Sequence, residues 1–275
     1  MTRHQFAKLT VAMTLILLAA GGLVTSTDSG LSVPDWPLSY GTMFPPMVGG
    51  IRYEHTHRLI AALVGLMVGT LAVWTWRADA RRWVRWLAGG AFAAVLTQAV
   101  LGGLTVLWVL PAPISIAHAC LGQLILSGLA CVALVTSPAW ARVGGWGAGA
   151  PLIRRRGLQA MAALFIQLVL GAVIRHTGRF VWAHAAWAVV AIVSLLRLAA
   201  SLRHAPELPA RWRIRASFLA WLVVAQGAIG VVVWRTGAQW AWLSAGHVLI
   251  GAVLLAAVCV TAVAAHHATH QAQIS

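Results

Sequence analysis

The chain has 275 residues, of which 60% are hydrophobic and only 9% are charged. This composition excludes an ordinary soluble domain and indicates a polytopic membrane protein. The formal net charge is +15, but charge alone does not indicate a nucleic-acid partner, because its meaning depends on where the basic residues lie.

Eight apolar segments are each long enough to cross a bilayer as a helix, which takes about 20 residues. No segment shows the alternation of a strand, so we predict an all-α polytopic membrane protein with eight transmembrane helices. The predicted spans are 7–26, 54–76, 84–107, 113–135, 157–174, 181–200, 214–234 and 241–264. The first span could instead be a signal peptide, but its removal would leave an odd number of spans and disturb the charge pattern.

The basic residues lie mostly on one side of the predicted helices. Fifteen of the 20 Lys and Arg residues share the side of the N-terminus, and five lie on the other side. By the positive-inside rule, we predict that the N- and C-termini are both cytoplasmic. The basic clusters then serve as orientation signals and contacts for anionic lipid, so we expect the lipid bilayer and no nucleic acid as partner. The lack of a long transit peptide favours a bacterial inner (plasma) membrane.

Four histidines recur at one depth in the even-numbered spans: His57, His118, His184 and His247. An ionisable side chain at membrane depth costs at least ~2.5 kcal/mol unless it is compensated, so each is a candidate functional residue. With the predicted topology, all four fall in the outer halves of their helices. We therefore predict two bis-histidine sites near the outer surface.

Each of these histidines follows a helix that carries a glycine near its outer end. The four glycines are Gly21, Gly102, Gly171 and Gly230, and in three helices a glutamine stands four residues before the glycine. Such a fourfold repeat of helix pairs indicates an internally duplicated protein. Glycine at these positions lets a flat macrocycle or a neighbouring helix approach the backbone.

Two such helix pairs make a four-helix bundle with facing histidines in its core. We therefore predict two pseudo-symmetric four-helix bundles joined by a cytoplasmic linker. The predicted boundaries are residues 1–140 for the N-terminal bundle, 141–156 for the linker and 157–275 for the C-terminal bundle.

Haem is the ligand that these histidines favour. A zinc or di-iron centre needs more ligands per site, usually with several carboxylates, whereas haem iron needs only one or two axial ligands. No CxxCH motif occurs, so any haem would be held without thioether bonds. Haem propionates favour nearby guanidinium groups, and four arginines are candidates at the outer helix ends: Arg52, Arg58, Arg175 and Arg235.

Glu54 is the single acidic residue near the plane of the histidines. It precedes His57 by three residues, which places the two side chains about 60° apart on a helix and towards one cavity. A carboxylate there is a candidate for proton transfer. The alternative role is an ion pair with Arg58 or Arg52 that stabilises the end of the helix.

Two motifs together resemble the haem A synthase family (COX15/CtaA). They are the stretch GGLVTSTDSGLSVPDWP from Gly21 to Pro37 and the sequence Glu54-His-Thr-His57-Arg58, and the resemblance extends over essentially the whole chain. It implies an oxidoreductase that oxidises the C8 methyl group of haem O to a formyl group, giving haem A for cytochrome c oxidase. Haem O synthase would be the upstream partner, with an electron acceptor that the sequence does not identify.

The resemblance also implies roles for individual residues. His57 and His118 would ligate the substrate haem O, His184 and His247 would ligate a haem b cofactor, and Glu54 would be the catalytic carboxylate. Many bacterial members have a cysteine pair in the first outer loop, whereas this chain has Asp-Trp-Pro at 35–37 and no cysteine there. A thiol-dependent step proposed for those relatives cannot apply here.

Two other functions compete with this interpretation. A diheme b-type membrane electron-transfer cytochrome would also use paired histidines, but such proteins usually place haems on both sides of the membrane. A transporter or haem exporter could use histidines as a relay, but it would explain neither the repeat nor Glu54.

The predicted topology can be tested with a reporter that is active only in the periplasm. A reporter inserted near Thr42 should be active, and one fused after Ser275 should be silent. The opposite pattern would overturn both the orientation and the outer location of the four histidines.

Overall fold

The computed structural model describes residues 1–140, 143 and 146–271. Within these residues there are eight long helices, and the only bridge between extended segments is an isolated one between Ser39 and Thr42. The helices are α1 (Arg3–Ser26), α2 (Ile51–Ala78), α3 (Arg82–Leu107), α4 (Ala112–Val135), α5 (Ala150–Thr177), α6 (Val181–His204), α7 (Ala210–Arg235) and α8 (Ala241–Gln271). All eight are long and apolar enough to cross a membrane, which confirms the predicted fold class.

Several helices extend beyond the predicted spans. α2 begins three residues earlier than predicted, α5 begins at Ala150 rather than 157, and α8 continues to Gln271 rather than 264. Hydropathy identifies only the apolar part of a helix, while the backbone hydrogen bonds continue into polar turns. The predicted linker 141–156 is therefore too long at its C-terminal end, since residues 150–156 are helical. Arg142 and residues 272–275 lie outside the described residues.

Local sequence accounts for several helix ends. The Thr2 side chain accepts a hydrogen bond from the Gln5 backbone, and the Gln5 side chain returns one to Thr2, which forms a capping box before α1. Proline occurs in the first turns of α4 and α5, where its missing N–H costs nothing. Gly178 ends α5 in the left-handed conformation, at φ 69°.

The helices pack as two groups of neighbours. In the first group α1 contacts α2 and α4, and α3 contacts the same two helices. In the second group α5 contacts α6 and α8, and α7 contacts the same two helices. α8 also packs against α1 and α4, where Gly22 lies against Ala245 at the α1–α8 crossing. The division into two pseudo-symmetric bundles and the sidedness of the termini stay predictions.

A buried carboxylate ties three parts of the N-terminal group together at the end opposite the histidines. Asp79, which follows α2 directly, accepts hydrogen bonds from Arg3 at 2.7 Å and from Arg81 at 2.8 and 2.9 Å. Arg81 also donates to the backbone oxygen of Val135 at the end of α4. The Asp79 side chain is only 4% exposed, and chiefly the hydrogen bonds from Arg81 lower its pKa from 3.8 to about 2.

We expect Asp79→Asn to lower the free energy of unfolding by about 1–3 kcal/mol, because two guanidinium groups lose their charged acceptor. A carboxylate whose pKa is depressed on folding stabilises the protein above its unfolded pKa, and the effect is lost as pH falls towards its folded pKa. The difference between the variant and the parent should therefore be full above about pH 4 and disappear near pH 2. Thermal unfolding in detergent would measure it.

Asp28→Asn is the control, because that carboxylate is 96% exposed and should contribute little. Equal unfolding temperatures for parent and Asp79→Asn at pH 6 would show that the cluster does not stabilise the fold.

Candidate functional site

Each of the four histidine rings lies directly against the glycine of the preceding helix. A Cβ atom placed on any of these glycines would come closer to the Cε1 atom of the histidine than ordinary contact allows. The distances would be 3.0 Å for Gly21 and His57, 3.1 Å for Gly102 and His118, 3.1 Å for Gly171 and His184, and 2.9 Å for Gly230 and His247. The glycines thus admit an imidazole ring to the helix backbone, which gives the repeat in the sequence a direct structural role.

The electrostatic interactions of the four rings agree with the predicted grouping into two pairs. His57 is within electrostatic reach of His118, and His247 is within electrostatic reach of His184. All four residues are half-buried. This grouping is the one that two bis-histidine sites require, although iron coordination itself stays a prediction.

The glutamines of the repeat also contact the histidines. Gln167 Nε2 lies 3.2 Å from His184 Nε2, and Gln226 Nε2 lies 3.4 Å from His247 Nε2. Gln98 instead donates to the backbone oxygen of His118 at 2.9 Å. In α1 the corresponding residue is Leu17, and among the described residues no glutamine side chain contacts the ring of His57 or His118.

The histidines suit axial ligation of haem better than a multi-ligand metal centre. In all four, Nδ1 is buried and has no hydrogen-bond partner among the described residues. A buried polar atom without a partner is costly, and a ligand bound to this nitrogen atom would offset that cost. No group of three or more His, Cys, Asp or Glu side chains in the described part of the chain is placed to hold a metal ion. Paired imidazoles alone are sufficient for haem iron.

Glu54 is held from two sides in the first turn of α2, at the end that the predicted topology places outside. Its Oε1 atom accepts a hydrogen bond from Arg58 at 2.6 Å, and its Oε2 atom accepts one from the backbone N–H of Val33 at 2.9 Å. The side chain is 4% exposed. The ion pair with Arg58, which the sequence left as an alternative role, is therefore present, and it fixes the carboxylate in one position.

The same arginine fastens the loop between α1 and α2, residues 27–50, to α2; in the predicted topology this is the first outer loop. Arg58 donates to the backbone oxygens of Asp35 at 2.7 Å, Leu38 at 2.6 Å and Val33 at 3.4 Å. Trp36 also packs on α3, because a Cβ on Gly103 would lie 2.8 Å from its ring. The loop is therefore docked against the outer ends of α2 and α3.

Within this loop, Asp35 organises a turn. Its carboxylate accepts hydrogen bonds from the backbone N–H groups of Tyr40 and Gly41 at 2.7 and 2.8 Å. The Gly41 bond is the main reason that the pKa of Asp35 is lowered. Asp35 of the Asp-Trp-Pro motif thus stabilises the fold of the loop whose backbone bonds to Arg58 and Glu54.

The four arginines predicted to bind propionates differ in their present partners. Arg58 is occupied by Glu54 and the loop carbonyls, as described above. The other three are exposed at the outer helix ends: Arg52, Arg175 and Arg235. The assignment of propionates to any of them stays a prediction.

Two residues near the site were not identified from the sequence. His55 is buried, and its Nδ1 atom lies 2.8 Å from Ser39 Oγ, which adds another contact between α2 and the loop. His176 lies in the last turn of α5, is half-buried and is within electrostatic reach of His118. The signal that could have found it is the parallel between the ends of α5 and α7.

The fold and the site define a protein of eight membrane-spanning-type helices with four histidines near the helix ends, each against a glycine. Comparison with known sequences gives the particular family. The sequence model of the COX15-CtaA family, described as cytochrome oxidase assembly protein, matches residues 4–49 and 51–183, so the chain belongs to this family. The matched residues include Glu54, His57 and His118, whereas His184 and His247 lie beyond them and rest on the internal repeat.

Three similar proteins are heme A synthases from bacteria. The one from Lysinibacillus sphaericus is 40% identical over 102 residues, which is 36% of this chain and 33% of that protein. The one from Geobacillus kaustophilus is 35% identical over 106 residues, 38% of this chain and 33% of that protein. The one from an Exiguobacterium species is 39% identical over 103 residues, 36% of this chain and 34% of that protein. The chain therefore matches about one third of the length of each relative.

Replacement of Gly230 tests whether the glycines admit the histidine rings. We expect Gly230→Ala to fold but to displace the His247 ring, because the new Cβ would lie 2.9 Å from it. The purified variant should lose most of the low-spin haem that we predict at His184 and His247, as measured by its absorption spectrum.

Gly227→Ala is the matched control on the same helix, because a Cβ there meets nothing within 4 Å. That change should leave the haem spectrum unaltered and favour the helix slightly. A normal spectrum for Gly230→Ala would show that the ring does not need this close approach.

Proposed function

We propose that this protein catalyses the reaction of a haem A synthase, the oxidation of the C8 methyl group of haem O to a formyl group. The observation that carries the proposal is the combination of two histidine pairs, each ring against a glycine, with one buried carboxylate three residues before His57. The family membership and the names of the similar proteins support it.

The two histidine pairs would divide the work. His57 and His118 would hold the substrate haem O, because Glu54 lies on the same helix as His57. His184 and His247 would hold haem b, which when bound supplies one-electron redox chemistry. The glycine contacts restrict each ring to a narrow range of positions. The histidine side chains are therefore oriented before either haem binds.

Glu54 is the residue that we assign to proton transfer. Conversion of a methyl to a formyl group with water as the oxygen source releases four protons and four electrons. The electrons require an external acceptor, and the protons require a base near the reacting carbon. We assign this task to Glu54, and its bonds to Arg58 and Val33 support the assignment because they keep the carboxylate in position.

The docked outer loop would limit the access of bulk water to this region. Val33, Trp36 and Arg58 together fix the loop over the ends of α2 and α3. Exclusion of water strengthens electrostatic interactions within a site and suppresses side reactions. The loop therefore serves both to position the carboxylate and to cover the substrate.

The proposed setting follows from the substrate and the fold. We place the protein in the inner membrane of a bacterium, with the histidines towards the outer face. Haem O synthase would supply the substrate, and the product would serve cytochrome c oxidase.

Glu54→Gln tests the catalytic role. The amide keeps the size of the side chain but cannot accept a proton, so we expect haem O to remain bound while haem A formation falls at least tenfold. The fold should persist, because Arg58 keeps its three carbonyl partners in the loop. Co-expression with a haem O synthase, followed by chromatography of the extracted haems, would measure the products.

Glu207→Gln is the matched control, since it changes the other glutamate in the chain, which lies after α6 at the opposite end of the helices from the site. It should make haem A at the parental rate. Parental activity in Glu54→Gln would assign a purely structural role to this carboxylate.

A further inference from the structure

Helix α5 contacts the second histidine pair and also reaches the first group of helices. Towards its middle, Gly171 and Gln167 lie against His184. Its last turn instead reaches the first group of helices. There Arg175 donates a hydrogen bond to the backbone oxygen of Thr25 at the end of α1, and His176 is within electrostatic reach of His118. About 12 Å of rigid helix separates Gln167 from Arg175.

The repeat in the sequence shows why the contact between the last turn of α5 and the first group of helices matters. Four and five residues after the repeat glycine, α5 carries Arg175 and His176, and α7 carries Trp234 and Arg235. The same positions hold Thr-Ser in α1 (25–26) and Val-Leu in α3 (106–107). The odd-numbered helices of the first pair therefore supply no cation at this level, although the ligand predicted there carries two carboxylates. Arg175 reaches the Thr25 position of α1, where that cation is missing.

We infer that Arg175, although it lies on a helix of the second group, binds a carboxylate of the ligand held by His57 and His118. The inference rests on the proposed function and identifies that carboxylate as a haem propionate. It assigns to the first site an arginine that its position in the chain would assign to the second.

The present partners of Arg175 leave it available for this role. Its contact with Asp28 is 3.7 Å long, and the Asp28 side chain is 96% exposed, so this ion pair is weak. A guanidinium has five N–H donors and binds a carboxylate through two parallel hydrogen bonds. A propionate could therefore replace Asp28 at little cost while the bond to Thr25 is kept.

The test uses the purified full-length protein and two probes, haem b and its dimethyl ester, which lacks free carboxylates. Binding to the first site is defined as the spectral change that His57→Ala abolishes. We expect Arg175→Gln to weaken haem b binding at this site about tenfold, the loss of one charge-assisted interaction. Binding of the dimethyl ester should be the same in parent and variant, and Arg175→Lys should recover part of the affinity for haem b.

Arg179→Gln is the control, because it removes an exposed positive charge four residues further along the same outer end. It should leave haem b binding at the first site unchanged. In all these variants the spectrum of the haem at His184 and His247 should be retained.

Three results would overturn the inference. They are parental affinity for haem b in Arg175→Gln, an equal loss for haem b and the ester, and a loss confined to the haem at His184 and His247. If the parent shows no spectral change that depends on His57, the proposed function itself fails, and this inference fails with it.

Discussion

The contact between an imidazole ring and a glycine backbone is the constraint on which the rest of this structure depends. It occurs four times, and at each position a Cβ would lie 2.9 to 3.1 Å from the ring. Lipid offers no hydrophobic force to press helices together, so close approach relies on small residues. The glycines therefore set the register of each helix pair and also position the histidines. The same contacts determine both the helix packing and the site.

The few acidic residues are used at the two ends of the helices rather than in the apolar middle. Asp79 joins α1, the start of α3 and the end of α4 through Arg3 and Arg81. At the other end, Glu54 and Arg58 hold the first outer loop. Two of the five acidic residues in the chain thus form buried ion pairs that fasten connecting segments. The apolar spans fix the number of helices, and these polar contacts fix the loops between them.

The helices and the histidine repeat could be predicted because they are periodic in the sequence. Each of the four histidines follows a helix that carries a glycine near the same end, so their equivalence can be inferred without coordinates. The outer contacts could not be predicted in the same way. Ser39 and His55 meet only because the loop folds back on α2, and His176 approaches His118 only because α5 packs against α4. Such contacts depend on the tertiary path of the chain, for which one sequence has no periodic signal.

The two halves repeat the same helix pair but surround their histidines differently. In the second pair, both rings have a glutamine amide within 3.4 Å of Nε2, and the described part of the chain makes no comparable contact with either ring of the first. Near the first pair lie instead the docked loop, Glu54 and, by our inference, Arg175 of α5. A ligand that stays bound benefits from side chains that hold its protein ligands still, whereas a substrate must be oriented, deprotonated and released. The differences between the halves therefore agree with the proposed resident cofactor in the second site and substrate in the first, and α5 is the helix that bonds to both groups.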